Sequence, residues 1–340
     1  MAVRTRAPTR LDLAGGTLDL WPLYAFLGGG HTVNVAISLT SNVELMAVPS
    51  GVLVESLDTG WSVSGERPAD LPADGPLGLV VRIIRHFDPP PGLRIRTRNR
   101  APRGSGLGGS SALAVALAAA LARWVRRDLA GATLVDLVAN IEAAALGIPT
   151  GKQDYWAAVY GGASDLEFGV EGFRRQPLLD TAADRAEFES RAVLCYSGAV
   201  HQSAVTNWDM FRGYVEDRPG IRAALAEVAA IAADLAAALR ARDWSAVETL
   251  VGREWDHRRT LGEGVSTPRM EEILAAARQA GATAGKGCGA GGGGCLLIMG
   301  PPDQHQRIVS AVEGAGGQVL SWRVAPSGLT ITGDSPLHAR

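Results

Sequence analysis

From residue 31 to residue 39 apolar and polar side chains alternate. Val33, Val35, Ile37 and Leu39 fall on one face of an extended segment, and Thr32, Asn34 and Ser38 on the other. That pattern predicts a half-buried strand. Residues 4–13 also read as extended, with Pro8 expected to break them. Within this segment Arg10 and Asp12 share one face. Residues 43–48 and 52–57 predict neighbouring strands, and 60–75 reads as loop. Val80, Ile83, Ile84 and Phe87 lie at helical spacing and stop at Pro89-Pro90-Pro91. Residues 93–98 alternate again, and Arg94, Arg96 and Arg98 on one face suggest a solvated sheet edge. The apolar run 112–122 predicts a helix with Ser110 or Ser111 as N-cap. Thr133 is the expected cap of a second helix, 134–146, ended by Gly147. A tight turn over 147–156 then leads to strand or loop at 157–168.

The second half reads differently. Strand 191–196 precedes alanine-rich helices at 219–241, 244–259 and 267–280, the last with Thr267 as cap and Pro268 in the first turn. Strand 295–299, helix 304–314 and strands near 318–324 and 328–332 complete the order. A chain of 340 residues suits two domains. The polar stretch 180–189 places their boundary near 185, giving domains 1–185 and 186–340.

Composition narrows the function classes. Hydrophobic residues are 46% and charged residues 20%, as in a globular protein, and the formal net charge of −2 gives no reason to expect a nucleic-acid or membrane partner. The first ten residues carry no apolar core of signal-peptide length. The longest apolar run falls well short of the ~20 residues that span a bilayer. Cys195, Cys288 and Cys295 form no CxxC pair, so a reducing, cytoplasmic setting is expected.

The chemistry centres on PRGSGLGGSSAL, residues 102–113. A glycine-rich turn feeding a helix N-terminus presents unpaired N–H groups and the positive end of the helix dipole, which suits a phosphate. GxGxxG occurs twice, as Gly104-Gly106-Gly109 and Gly289-Gly291-Gly294. Neither fits a dinucleotide fold: Asp128, at a suitable distance after the first, falls at a helix end, and the second leads into a strand. A Walker loop is absent. Phosphoryl transfer needs a phosphate cradle, a Mg²⁺ on oxygen ligands and a group that deprotonates the acceptor. Ser111, Glu142 and Asp154 offer the oxygens, and Arg10 a cation for the developing charge. Each also has a plain structural role open to it: Ser111 as cap, Glu142 on a solvated helix face, Asp154 in a turn, Arg10 paired with Asp12. Lys152, His201 and Asn207 suit the surface, and Cys288 and Cys295 suit packing between glycines.

Three separated segments, APTRLDLAGGTLD (7–19), PRGSGLGGSSA (102–112) and KGCGAGGGGC (286–295), together resemble the motifs of the GHMP kinases. The resemblance implies an α+β fold, with an N-terminal domain like ribosomal protein S5 domain 2 and a ferredoxin-like C-terminal domain. It implies ATP and Mg²⁺, with ATP phosphates on Pro102, Gly104, Ser105, Gly106, Leu107, Gly108, Gly109, Ser110 and Ser111. Ser111 and Glu142 match the Mg²⁺ ligands, Asp154 the catalytic base and Arg10 the basic residue near the transferred phosphate. Asp19 matches an acid that binds sugar hydroxyls, and Gly151, Gly289 and Gly291 are expected beside the substrate. GKQDYWAAVYGG and the three segments look most like the branch that phosphorylates sugars at the anomeric carbon, such as heptose 7-phosphate and L-fucose kinases. Gly16 and Thr17 stand where galactokinase has Glu-His, which argues against galactose. A phosphorylated acceptor would need a second cationic pocket, for which Arg103 and the Arg94 stripe are candidates. The expected activity is ATP-dependent phosphorylation of a sugar or sugar phosphate. The alternatives are a non-sugar alcohol, as in mevalonate and homoserine kinases, or a non-catalytic sensor on the same fold.

Overall fold

The computed structural model describes residues 2–198, 203–289 and 291–333. The chain opens with β1 (Ala2–Ala14), a short α1 (Leu23–Phe26), β2 (Gly30–Ala47), β3 (Val52–Ser56), β4 (Ser62–Gly65), α2 (Gly78–Phe87) and β5 (Leu93–Asn99). Helices α3 (Gly109–Trp124), α4 (Gly131–Leu146) and α5 (Gln153–Tyr160) follow, then β6 (Ala163–Gly169) and β7 (Gly172–Leu178). These strands build one sheet, ordered β1-β2-β5-β3-β4, with β6 on β2 and β7 on β6. Only the β3–β5 pair is parallel among its described ladders.

The second half runs α6 (Ala182–Arg191), β8 (Ala192–Tyr196), α7 (Ser203–Val215), α8 (Ile221–Ala241), α9 (Trp244–Arg258), α10 (Pro268–Gln279), β9 (Ala284–Gly287), β10 (Cys295–Met299), α11 (His305–Gly314), β11 (Gln318–Val319) and β12 (Thr330–Thr332). Its sheet is antiparallel, β11-β8-β10-β9. Sheet membership changes between β7 and β8, and β12 returns to the first sheet, Ile331 opposite Thr5.

Several elements depart from the sequence pattern. β1 runs through Pro8, and the missing N–H is absorbed by a register shift between Pro8 and Thr9. Residues 30–47 are one strand: Thr40, Ser41 and Asn42, which looked like a break, lie within its ladders, and Ser41 Oγ donates to Gly109 O at 3.2 Å. β2 is buried on both faces, because α3, α5 and α8 all pack on β1 and β2. Thr32 and Asn34 are therefore as buried as Val33. β5 lies between β2 and β3, so its arginines line a sheet face and not an edge; Arg94 and Arg96 pair with Glu55. Residues 62–65 form β4 inside the expected loop.

Helix starts differ too. Gly108, at φ 73°, is the N-cap of α3, so Ser110 and Ser111 lie inside its first turn. Thr133 likewise lies inside α4, whose N-cap is Ala130, while Gly147 ends it at φ 71° as expected. Residues 153–160 form a helix because Tyr155, Trp156 and Val159 recur at helical spacing, the first two buried. α6 is capped by Thr181, whose hydroxyl accepts from Asp184 N at 3.0 Å. α7 packs Met210 and Phe211 into the core.

Leu297, in an inner strand of the second sheet, is fully buried in a core cluster that also takes in residues of β1, β2, α8 and α9. Leu297→Ala is expected to lower unfolding free energy by about 2–5 kcal/mol, measured by urea titration. A loss below about 1 kcal/mol would contradict this packing.

Candidate active site

A cavity of about 400 Å³ opens where the three glycine-rich segments meet. The end of β1 docks on the glycine loop 102–113: Leu107 O accepts from Arg10 N at 3.0 Å and Gly106 O accepts from Arg10 Nη1 at 2.5 Å. The third segment closes on the same loop, with Cys295 N donating to Ser105 O at 2.7 Å. Here glycine is required. Gly106 has φ 72°, and a Cβ on it would fall 2.3 Å from Cys288 O; one on Gly108 would fall 2.9 Å from Asp154 Oδ2.

Arg10 lies on the face of β1 that points into the cavity, as its alternation with Leu11 requires. Its Nε and Nη2 both reach Asp154 Oδ1 at 2.7 Å. Asp154 sits in the first turn of α5, not in a free turn. Arg10 pairs with it across the site rather than with Asp12 along the strand.

Glu142 is buried on α4 with three hydroxyls on its carboxylate. Ser110 Oγ donates at 2.9 Å, Ser111 Oγ at 3.2 Å, and Tyr155 donates a short bond. Burial pushes Glu142 above the ordinary carboxylate range in spite of these bonds. Ser111 Oγ and the Glu142 oxygens make a hard, all-oxygen set beside the glycine loop, which fits Mg²⁺. Neither residue is the cap or the solvated side chain of the plain reading.

Asp19 is buried, and Gln153 N donates to its Oδ2 at 2.8 Å. Burial pushes it up to about 6, and Asp154 and Asp12 add to the shift. Gly151 approaches it closely: a Cβ there would meet Asp19 Oδ2 at 2.6 Å.

Arg10, Asp19, Gly104, Ser105, Gly106, Leu107, Gly108, Gly109, Ser110, Ser111, Glu142, Gly151, Asp154, Pro102 and Gly289 all line the cavity. Gly291 does not; it packs on Val265. Lys152 bonds Asp136 at 2.6 Å. Arg103 lies at the cavity mouth over the Trp61 ring, 4.6 Å from its centre. Of the Arg94 stripe, Arg94 and Arg96 pair with Glu55, and none of its three arginines lines the cavity. Cys288 is buried and pushed up to about 12, so it packs and does not react. His201 lies outside the described residues.

Asn207, read as surface loop, is on α7, and its Oδ1 accepts from Thr17 Oγ1 at 2.7 Å inside the cavity. Sequence reasoning also passed over Tyr155, Gln153 and a buried ion cluster. Lys286 Nζ lies 2.8 Å from Glu254 Oε2 and 3.6 Å from Asp12 Oδ2, and Glu254 Oε1 takes Arg258 at 2.6 Å. The signals available were Tyr155 adjoining Asp154 and the spacing Trp208-Phe211 on α7.

This arrangement can bind polyphosphate, hold a divalent cation and present a carboxylate to a hydroxyl, which is the equipment of a small-molecule kinase. The GHMP kinases N terminal domain matches residues 77–162 and the GHMP kinases C terminal domain matches residues 235–318. D-glycero-alpha-D-manno-heptose 7-phosphate kinase of Campylobacter jejuni is 30% identical, over 96% of this chain and 98% of its own. L-fucokinase/L-fucose-1-P guanylyltransferase of Bacteroides fragilis is 25% identical over 86% of this chain and 34% of its own. The crystal structure of a D-glycero-D-manno-heptose 1-phosphate kinase from Bacteroides thetaiotaomicron superposes with TM-score 0.79 at 26% identity, covering 97% of this chain and 99% of that one. The chain belongs to the GHMP kinase family, with its α+β fold. It is an ATP-dependent phosphotransferase.

The raised carboxyl of Asp19 has a sign for stability. A group whose folded value lies near 6 against an ordinary 3.8 binds more protons folded than unfolded between those values, so stability falls as pH rises through that window. Asp19→Asn is therefore expected to melt higher than the parent at pH 7.5 and level with it below pH ~4, by calorimetry. An equal gap at both pH values would count against the assignment.

Proposed function

We propose that the protein transfers the γ-phosphate of ATP to a hydroxyl of a sugar or sugar phosphate, the anomeric C1 hydroxyl in particular. The observation that carries this reading is the Arg10–Asp154 pair facing the Ser111–Glu142 oxygen set across one cavity. The names of the heptose phosphate and fucose kinases among its relatives support a sugar acceptor. So does the polar acceptor end, where Asp19, Thr17 and Asn207 line the cavity.

In this reading residues 1–185 carry the nucleotide and residues 186–340 close the acceptor side. The backbone N–H groups of residues 104–111 hold the phosphates at the start of α3. Trp61, Leu77 and Leu79 give the other end of the cavity apolar surface for the base. A Mg²⁺ on Ser111 Oγ and Glu142 would neutralise charge on the phosphate oxygens. Arg10 fixes Asp154 through Oδ1 and leaves Oδ2 to take the proton of the attacking hydroxyl. The same guanidinium lies where charge accumulates on the transferred group. Asp19 accepts from hydroxyls of the acceptor, and Gly151 gives it room.

A coupled ADP-release screen over free and phosphorylated sugars, mevalonate and homoserine tests this, with NMR to locate the new phosphate. Asp154→Asn is expected to lower kcat by roughly 10²–10⁴-fold while Mg-ATP still binds. Tight nucleotide binding with no turnover on any acceptor would favour the sensor reading.

A further inference from the structure

Glu142 is 8% exposed and lines the cavity with Ser110, Ser111 and Tyr155. A carboxylate has about four lone-pair sites, two on each oxygen. Among the described residues, Glu142 Oε2 accepts from Tyr155 Oη and from Ser111 Oγ, the latter at 3.2 Å, while Oε1 accepts from Ser110 Oγ at 2.9 Å. Protein donors therefore fill Oε2, and Oε1 keeps a lone pair. Ser111 spends its one proton on Glu142 and keeps the lone pairs of its own oxygen.

The donors are held differently. Ser110 is exposed in the first turn of α3. Tyr155 is 1% exposed, its ring part of the core shared with α3 and α4. A phenol has one proton to donate, and Thr150 Oγ1, at 3.4 Å, is the more distant acceptor, so the proton goes to Glu142. Tyr155 also follows Asp154 directly in the first turn of α5. Neighbouring helix residues point roughly 100° apart, so one side chain meets Arg10 at 2.7 Å and the other meets Glu142. One turn of α5 thus supplies the Asp154 carboxylate and steadies the Glu142 carboxylate.

We propose that Tyr155 is a positioning residue for the divalent cation: it pins Glu142 through Oε2, so that the lone pair left on Oε1 and those of Ser111 Oγ are presented together to Mg²⁺. Partners behind a metal ligand fix its orientation and set the affinity of the site. Removing the phenol hydroxyl keeps the buried ring and its packing, and leaves Glu142 to the two serines, one of them exposed. The inference rests on the reading of Ser111 and Glu142 as the Mg²⁺ site and adds the residue that sets that site's strength.

The test uses the whole chain, in excess over ADP, with Mn²⁺ standing in for Mg²⁺ and free Mn²⁺ read by electron paramagnetic resonance. Tyr155→Phe is expected to raise the Mn²⁺ dissociation constant of the ADP complex roughly 10- to 100-fold, with metal-free ADP affinity, by calorimetry, within about twofold of the parent. Glu142→Ala is expected to weaken Mn²⁺ at least as much. Adding Tyr155→Phe to Glu142→Ala is expected to change nothing further, because the phenol acts through that carboxylate. Unchanged Mn²⁺ affinity in Tyr155→Phe, beside a loss in Glu142→Ala, would overturn the proposal and leave the metal-site reading intact. Additive losses in the double variant, or an equal fall in ADP affinity with and without metal, would also overturn it, as a purely structural role predicts. Mn²⁺ binding unaltered by Glu142→Ala would remove both readings together.

Discussion

The Asp19 end of the cavity depends on charge buried between the two sheets. Asp12, Glu254, Arg258 and Lys286 are withdrawn from solvent, and isolating such groups costs several kcal/mol each unless they are paired. They are paired across the halves: Asp12 comes from β1, Glu254 and Arg258 from α9, and Lys286 from β9. Arg258 also donates to Gly16 O and to Thr17 Oγ1. Thr17 has φ 78°, an unfavourable conformation for a β-branched residue. The segment that leads to Asp19 is thus held in a strained shape by a helix from the other half, and this end of the cavity cannot form from the first sheet alone.

The two ends of the cavity have opposite hydrogen-bond character. The glycine loop before α3 offers backbone donors and a helix dipole. The Asp19 end is lined by the carboxylates of Asp19 and Asp154. Arg10 stands between them and touches both, bonding the loop at Gly106 and the carboxylate of Asp154. The same division explains why Asp19 is pushed up: burial removes its water, and the neighbouring carboxylates add repulsion.

What the sequence made legible was local. The glycine loop, Gly147 at the end of α4 and Thr267 at the start of α10 each act within a few residues, and each is where its pattern put it. The β2 strand was misjudged because Ser41 is polar and buried, and its partner, Gly109 O, is far away in sequence. Ser110 and Ser111 were misjudged as caps because their hydroxyls serve Glu142 instead of the helix backbone. Gly291 shares its motif with Gly289, yet one packs on Val265 while the other faces the cavity, a difference made by loop curvature. Asp12 alternates with Leu11 like any strand residue, and its ion partner, Lys286, lies far away in sequence.

Among the chain's lysine and arginine residues only two are lysines, Lys152 and Lys286. The ammonium of Lys286 fits between Leu13 O and two carboxylates, where a planar guanidinium could not present its donors the same way. The other amine is partly exposed at the start of α5. The chain therefore carries a built-in pair of chemical reporters. Amine-directed acylation reads the surface through Lys152, and it reaches Lys286 only when the two sheets part, so the modification state of a single buried nitrogen records how often the halves separate.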